Sequence, residues 1–264
     1  MQKFIIPAFL FLVSCASVPM TGRKQFVAIP ASQMISLSAE SYSKVLAEGK
    51  LSSNTEYVNS VRTVGERLTA SVETYLEQNN LASVTEGYEW QYNVLVSEDL
   101  NAWCMPGGQI AFYEGILPVC QDENGIAVVM GHEIAHAVAQ HGNERLSQQL
   151  AIQMGGMALS EALETQKEQT QYLAMLAFGV GAKLGVELPY SRTHEAEADE
   201  LGLYFMAMAG YDPRTAPAFW ERMEAKSSSR PPKFLSTHPP PSDRVANLQR
   251  IMPKALEYYR ASQP

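Results

Sequence analysis

The sequence predicts a helix-dominated α+β domain with a small sheet beside one helix that carries two histidines. Three observations predict it. Apolar residues recur at spacings of three and four over most of the chain, as in Tyr57, Val61, Val64, Leu68, Val72 and Tyr75. Only two short segments read as strands: Glu89 to Ser97, where Trp90, Tyr92, Val94 and Val96 alternate, and Gln109 to Tyr113 after the turn Pro106-Gly107-Gly108. Finally, Gly125 to Gln140 is mostly apolar yet embeds His132, Glu133 and His136, and charged groups on a buried helix are costly unless paired or metal-bound.

Met1-Gln2-Lys3 precedes an apolar run from Phe4 to Val13, interrupted by Pro7. That run is too short for a bilayer, which needs about 20 residues, and it suits a secretory signal over residues 1–14. Leu12-Val13-Ser14-Cys15 resembles the bacterial lipobox, in which the cysteine is acylated; simple cleavage near Ala16 is the alternative. Two or more acyl chains on Cys15 give stable membrane anchoring, whereas one gives marginal binding. Ala16 in place of Asp resembles the pattern sorted to the outer membrane. The expected location is therefore the periplasmic face of the outer membrane, with the inner membrane second. Residues 15–30 are expected to form the acylated N-terminus and linker, and residues 31–264 one domain.

Within that domain Ala31 to Glu48 reads as an amphipathic helix, and Asn54 can cap a longer one running toward Gln78. After the strands, helices are expected over Asp122–Arg145, Leu146–Thr165, Gln169–Gly185, Thr193–Ala209 and Pro213–Lys226. Tyr172 to Ala182 is an apolar run of 11 residues ending at Lys183, which reads as a buried or packing helix and not a span. Ser227 to Pro241, rich in Ser and Pro, is expected to be a loop serving as a lid. A terminal helix from Ser242 should break or kink at Pro253. The net charge of −8 excludes a nucleic-acid surface, which would be basic, and argues against docking on anionic headgroups by charge.

The chemistry concentrates in His132-Glu133-Ile134-Ala135-His136, the pattern H-E-x-x-H. Imidazoles four residues apart lie about 40° apart around a helix, one turn above the other, so both can bind one Zn²⁺. Glu133, rotated about 100° from His132, flanks the metal as a general base. A His six residues after His136 would complete a different ligand set, but Gly142 stands there. His141, rotated about 140° from His136 on a straight helix, reads as a solvent-side or core histidine. The third ligand is expected at Glu195, with Asp199 accepting a hydrogen bond from a ligand imidazole. Glu197, on a face with Glu200 and Tyr204 that reads as solvated, is the competing candidate.

H-E-I-A-H followed later by Ser191-Arg192-Thr193-His194-Glu195-Ala196-Glu197-Ala198-Asp199 resembles the HtpX-like gluzincin zinc metallopeptidases. These include the CAAX prenyl proteases, mitochondrial quality-control proteases and bacterial periplasmic lipoproteins such as LoiP and BepA. Asn101 to Ile110, Leu184 to Arg192 and Ser236-Thr237-His238-Pro239 are similar to further family segments, so the resemblance spans roughly Thr21 to Leu248. It implies a zincin fold, one Zn²⁺ per chain, Glu195 as zinc ligand, and activity on misfolded or misassembled envelope proteins.

A peptidase must hold its substrate extended, and an exposed sheet edge does so by adding it as a strand. The expected edge involves Asn101–Met105 and Gln109–Phe112, with Asn101, Ala102, Trp103, Gly107 and Gly108 meeting the substrate. Glu133 then takes a proton from the attacking water and returns it to the leaving amine. His238 is expected to approach the open fourth metal position on a folded-over loop, either stabilising the oxyanion or holding the enzyme latent. Cys104 and Cys120 are expected to pair in an oxidising compartment. The rival reading is a chaperone-like peptide-binding lipoprotein with structural zinc; zinc hydrolysis of a non-peptide substrate ranks below it. Structural sites usually close with four protein ligands and have no use for a neighbouring Glu.

Overall fold

A short antiparallel hairpin opens the computed structural model, which describes residues 15–183, 188–226, 232–238 and 243–263. In it β1 (Cys15–Ser17) pairs with β2 (Lys24–Phe26). The expected signal over residues 1–14 lies outside the described residues, as does the Cys15 side chain expected to carry the acyl groups. The segment expected as a linker is fastened to the body. The Ala28 amide donates to Ser147 Oγ at 2.9 Å, and the Asn143 side chain donates to the Ile29 carbonyl at 2.8 Å.

Helix α1 (Ala31–Glu48) and helix α2 (Thr55–Gln78) follow. As the sequence predicts, Asn54 caps α2, its Oδ1 accepting from the amides of Glu56 and Tyr57 at 3.1 and 3.3 Å. Val61, Val64, Leu68 and Val72 form its buried stripe, each worth about 1.5–3 kcal/mol relative to exposure.

Three strands make the sheet: β3 (Gln91–Leu95), β4 (Ala102–Cys104) and β5 (Gln109–Tyr113), in the order β3-β5-β4. β3 runs parallel to β5 with Val94 opposite Phe112, and β4 antiparallel with Trp103 opposite Ala111. This corrects half of the expected substrate edge, because Gln109–Phe112 belongs to the central strand and has no open side. Gly107 and Gly108 also serve another purpose. Both have positive φ, 104° and 91°, and their carbonyls accept from the amides of Glu89 and Gln91 at 2.8 and 3.1 Å. They lie on the β3 side, where a Cβ on Gly108 would meet the Trp90 indole at 2.9 Å. The open edge is β4.

The rest is helical: α3 (Leu117–Cys120), α4 (Glu123–Val138), α5 (His141–Ala162), α6 (Glu168–Ala182), α7 (Leu188–Met208), α8 (Ala216–Ala225), α9 (Lys233–Thr237) and α10 (Arg244–Ser262). α4, capped by Asp122 Oδ1 on the Gly125 amide at 3.0 Å, is buried on nearly every side. It stops at Val138 and not at Arg145, because Gln140 takes a left-handed conformation with φ of 55°.

Of the two readings of the apolar run at Tyr172–Ala182, the packing helix holds and the buried one does not: α6 packs on α5 through Phe178 against Gly155 and Gly156, and exposes Tyr172, Leu173 and Leu176. Two further expectations are corrected. The Ser- and Pro-rich stretch contains the short helix α9, anchored by the fully buried Phe234. α10 continues through Pro253, held on either side by buried Leu248, Ile251 and Ala255. Among the described residues no helix is long and apolar enough to cross a membrane.

Cys104 and Cys120 are free thiols, which corrects the expected disulfide. Cys120 packs on the first turn of α4, its carbonyl 2.0 Å from where a Cβ of Gly125 would lie, whereas Cys104 sits beside Glu133. Eight residues of helix separate these two levels by about 12 Å, and a disulfide needs Cα atoms within about 7 Å.

Candidate metal centre

Four helices deliver the site. α4 carries His132, Glu133 and His136; α7 carries Glu195 and Asp199; His238 caps the C-terminus of α9; and Arg244 opens α10. α4 and α7 cross at glycine on glycine. A Cβ on Gly131 would lie 2.7 Å from the Gly202 carbonyl oxygen, and one on Gly202 would lie 2.7 Å from the His132 amide nitrogen. This crossing brings the α4 imidazoles against the α7 carboxylates.

Donor atoms of His132, His136, Glu195 and His238 all lie within 4.8 Å of one another. His132 Nε2 is 3.0 Å from His136 Nε2, and these two atoms are 3.3 and 3.5 Å from the Glu195 oxygens. The surrounding hydrogen bonds fix what those nitrogens carry. His132 Nδ1 faces Asp199 Oδ1 at 3.0 Å, and a carboxylate only accepts, so the proton is on Nδ1. His136 Nδ1 faces His141 Nδ1 at 2.8 Å, and His141 Nε2 faces Glu197 Oε2 at 2.9 Å. His141 therefore donates to Glu197 and accepts from His136. With each Nδ1 committed in this way, the two Nε2 atoms face each other at 3.0 Å and are the atoms that can give lone pairs to a cation. The donor set, two imidazoles and a carboxylate with a further position open, fits Zn²⁺ in a catalytic coordination.

The electrostatics agree. Burial works against charge on His132, but hydrogen bonds to Asp199 and Glu195 lift its imidazole to about 9. His136 is pushed well below its ordinary value by burial and by the neighbouring His132. Without a cation, a proton thus resides on one imidazole of the pair. Burial would raise Glu195, yet hydrogen bonds from His132 and His238 hold it well below the usual carboxylate range. Burial raises Glu133 despite nearby His238 and His132, and its Oε1 is buried without a hydrogen-bond partner. A basic carboxylate with one unsatisfied oxygen is suited to taking a proton.

Sequence reasoning missed two side chains here. Arg244 donates through Nε to Asp199 at 2.7 Å and through Nη2 to Glu195 at 3.2 Å, over the Trp220 face at 4.0 Å. Its only signal was a lone Arg at the head of the terminal helix. His141 is 2 % exposed, so the core placement holds and the solvent-side one fails. The break at Gln140 returns its ring to His136, which a straight helix would prevent. The solvated face expected for Glu197 and Tyr204 is also corrected, since both are buried and Glu197 pairs with Arg23 at 2.8 Å. Neither Glu197 oxygen reaches the donor cluster. Asn101, Ala102 and Trp103 stand on or beside the edge strand β4, and Cys104 at its end lies beside Glu133.

The sequence profile of peptidase family M48 matches residues 63–252. The chain belongs to peptidase family M48. Zinc is the cofactor of that family, and this helix-dominated fold and its centre are those of a zinc metallopeptidase. The chain is 29% identical over 240 residues to the mitochondrial metalloendopeptidase OMA1 of Schizosaccharomyces pombe, covering 90% of this chain and 66% of that one. It is 31% identical to the human mitochondrial metalloendopeptidase OMA1 over 90% of this chain and 46% of that one. The β-barrel assembly-enhancing protease of Escherichia coli matches at 27% over 61% of this chain and 34% of its own length. The chain thus spans from a third to two thirds of the curated relatives it matches.

This corrects the expected location. The relatives that align with nine tenths of the chain are named as mitochondrial enzymes, which overturns an assignment to the periplasmic face of an outer membrane. The resemblance to bacterial periplasmic members holds at the level of the family, with the bacterial matches covering less of the chain.

Proposed function

We propose that this M48 peptidase is an endopeptidase that cuts extended segments of unfolded or misassembled proteins, with His132, His136 and Glu195 as zinc ligands and Glu133 as general base. The observation that carries the reading is the open β4 edge beside Glu133. Met105 donates to Gln109 at 2.9 Å and Tyr113 to Asn101 at 3.0 Å. By antiparallel alternation the backbone groups of Ala102 and Cys104 then point away from β5. A polypeptide lying there as an added strand would be held by its main chain, so selection would favour unfolded segments over any one sequence. The bacterial relatives are β-barrel assembly-enhancing proteases by name, which is consistent with substrates that have failed to assemble.

Zinc, when bound, supplies Lewis acidity that polarises the scissile carbonyl and acidifies water. Asp199 holds His132, and Arg244 holds Asp199 and Glu195, so the ligands stand ready without rearrangement. Glu133 takes the proton from the attacking water through Oε1 and delivers it to the leaving nitrogen.

The segment containing α9 closes this site. The Phe234 amide donates to the Leu100 carbonyl at 3.0 Å, just before β4. His238 Nδ1 lies 3.1 Å from Glu195 and its Nε2 3.5 Å from Glu133. Of the two expected roles for His238 this position favours the latch: the side chain stands among the donor atoms, between Glu195 and Glu133, where a fourth ligand to the metal would sit.

The test is cleavage of an unfolded reporter such as reduced, carboxymethylated lactalbumin by the zinc-loaded chain. Glu133→Gln should keep its zinc and lose cleavage at least a thousandfold. Cleavage by Glu133→Gln near the parent rate, or none by the parent and His238→Ala alike, would sink the proposal.

A further inference from the structure

Behind His136, on the side away from the donor cluster, a buried chain of polar groups runs to the N-terminal hairpin. His141 faces His136, Glu197 faces His141, and Arg23 Nε donates to Glu197 Oε2 at 2.8 Å. Thr21 Oγ1 donates to the other Glu197 oxygen. The Arg23 guanidinium also forks onto Glu144 at 3.1 and 2.7 Å, and His194 Nε2 meets Glu144 at 2.8 Å. The His194 and His141 rings are stacked at 4.2 Å with planes 14° apart. His141, Glu144, His194 and Glu197 are all buried.

We propose that His141, oriented by Glu197 and Arg23, is a positioning residue that fixes the tautomer and ring orientation of His136 for metal binding. The proposal rests on the reading of His136 as a metal ligand. A neutral imidazole binds a metal through one nitrogen only if its proton is on the other. Whether His136 keeps its proton on Nδ1 depends on an acceptor there, and His141 supplies one only while its own proton is drawn to Glu197. Glu197 in turn keeps its charge and direction through Arg23 and Thr21, one donating to each of its oxygens. The line ends at residues 21 and 23, ahead of the stretch matched by the family profile. A hairpin that contributes nothing to the donor cluster of His132, His136, Glu195 and His238 thereby acts on the metal centre.

The experiment uses the full chain and reads zinc affinity by chelator competition, together with the visible spectrum of the Co²⁺-substituted protein. His141→Leu should weaken zinc about 10–100-fold, the usual effect of losing a partner that orients a ligand, and alter the Co²⁺ bands. His141→Gln, which can still accept from His136 and donate to Glu197, should return affinity to within about fivefold of the parent by the same reasoning. Arg23→Met, remote from the metal, should weaken zinc at least threefold and shift the Co²⁺ bands in the direction seen for His141→Leu. Parent-like affinity and spectrum in His141→Leu overturn the proposal. If His141→Leu does not fold, parent-like values in Arg23→Met overturn it. His136→Gln is the control: if it binds zinc like the parent, the ligand assignment fails and not the positioning role.

Discussion

Gly131 and Gly202 meet backbone to backbone where α4 crosses α7, with no room for a methyl group on either side. The register of two helices distant in sequence is fixed at this point, one residue before His132. A methyl group there forces the helices apart, and overpacking of this kind costs about 1–3 kcal/mol. Gly202→Ala should therefore lower the melting temperature and weaken zinc binding together, because the shift separates His132 from Glu195. A Gly202→Ala chain with the parent's melting temperature and zinc affinity would show that the crossing is not as tight as described.

Glu195→Ala should lose the stoichiometric zinc, since it removes one of three converging donors from a buried site. Asp199→Asn keeps the ligands but replaces the carboxylate that holds His132 Nδ1, so it should bind zinc about 10–100-fold more weakly. Elemental analysis and chelator competition read both effects. Normal zinc in Glu195→Ala would remove that residue from the ligand set.

His238→Ala should raise peptidase activity at least tenfold at unchanged zinc content, because it empties the position beside Glu133 and Glu195 that the latch fills. A tenfold fall would instead assign His238 to the oxyanion. Activity within twofold of the parent would leave it a bystander. Rates on an unfolded reporter, measured at equal zinc loading, separate the three.

Acid should weaken the fold through Glu144. Burial would raise this carboxylate, but hydrogen bonds from His194 and Arg23 outweigh it and hold the group at about 2, below its ordinary 4.5. The folded state then binds fewer protons than the unfolded one between these values. Its stabilising contribution is complete above about 4.5 and is lost as the pH falls toward 2. The facing groups are Arg23, His194 and the Phe26 amide. Urea unfolding of Glu144→Gln should show a shallower loss of stability over that window than the parent, and an unchanged slope would refute the assignment.

The sequence by itself determined the local terms of this protein. Period and capping identified α2 from Asn54 onward, alternation identified β3, and H-E-x-x-H placed His132, Glu133 and His136 on one buried helix. Each depends on neighbours within a few residues, which the sequence states directly. Glu195 and Asp199 were legible for the same reason, as carboxylates one turn apart on a helix face that is otherwise apolar and small through Gly202 and Met206.

The tertiary structure decided what depends on residues far apart in the chain. Which strand is central follows from pairing partners, so β5 became interior and left β4 as the edge. A single left-handed residue, Gln140, turned His141 from an off-face histidine into the partner of His136. Burial of Glu197 came from Arg23 and Thr21, more than 170 positions earlier, and no helical wheel contains them. Cys104 and Cys120 stayed apart because α4 places two turns between the surfaces they pack on. In each case the deciding quantity was a distance across the fold, set by helix crossings and strand order, which sequence spacing does not encode.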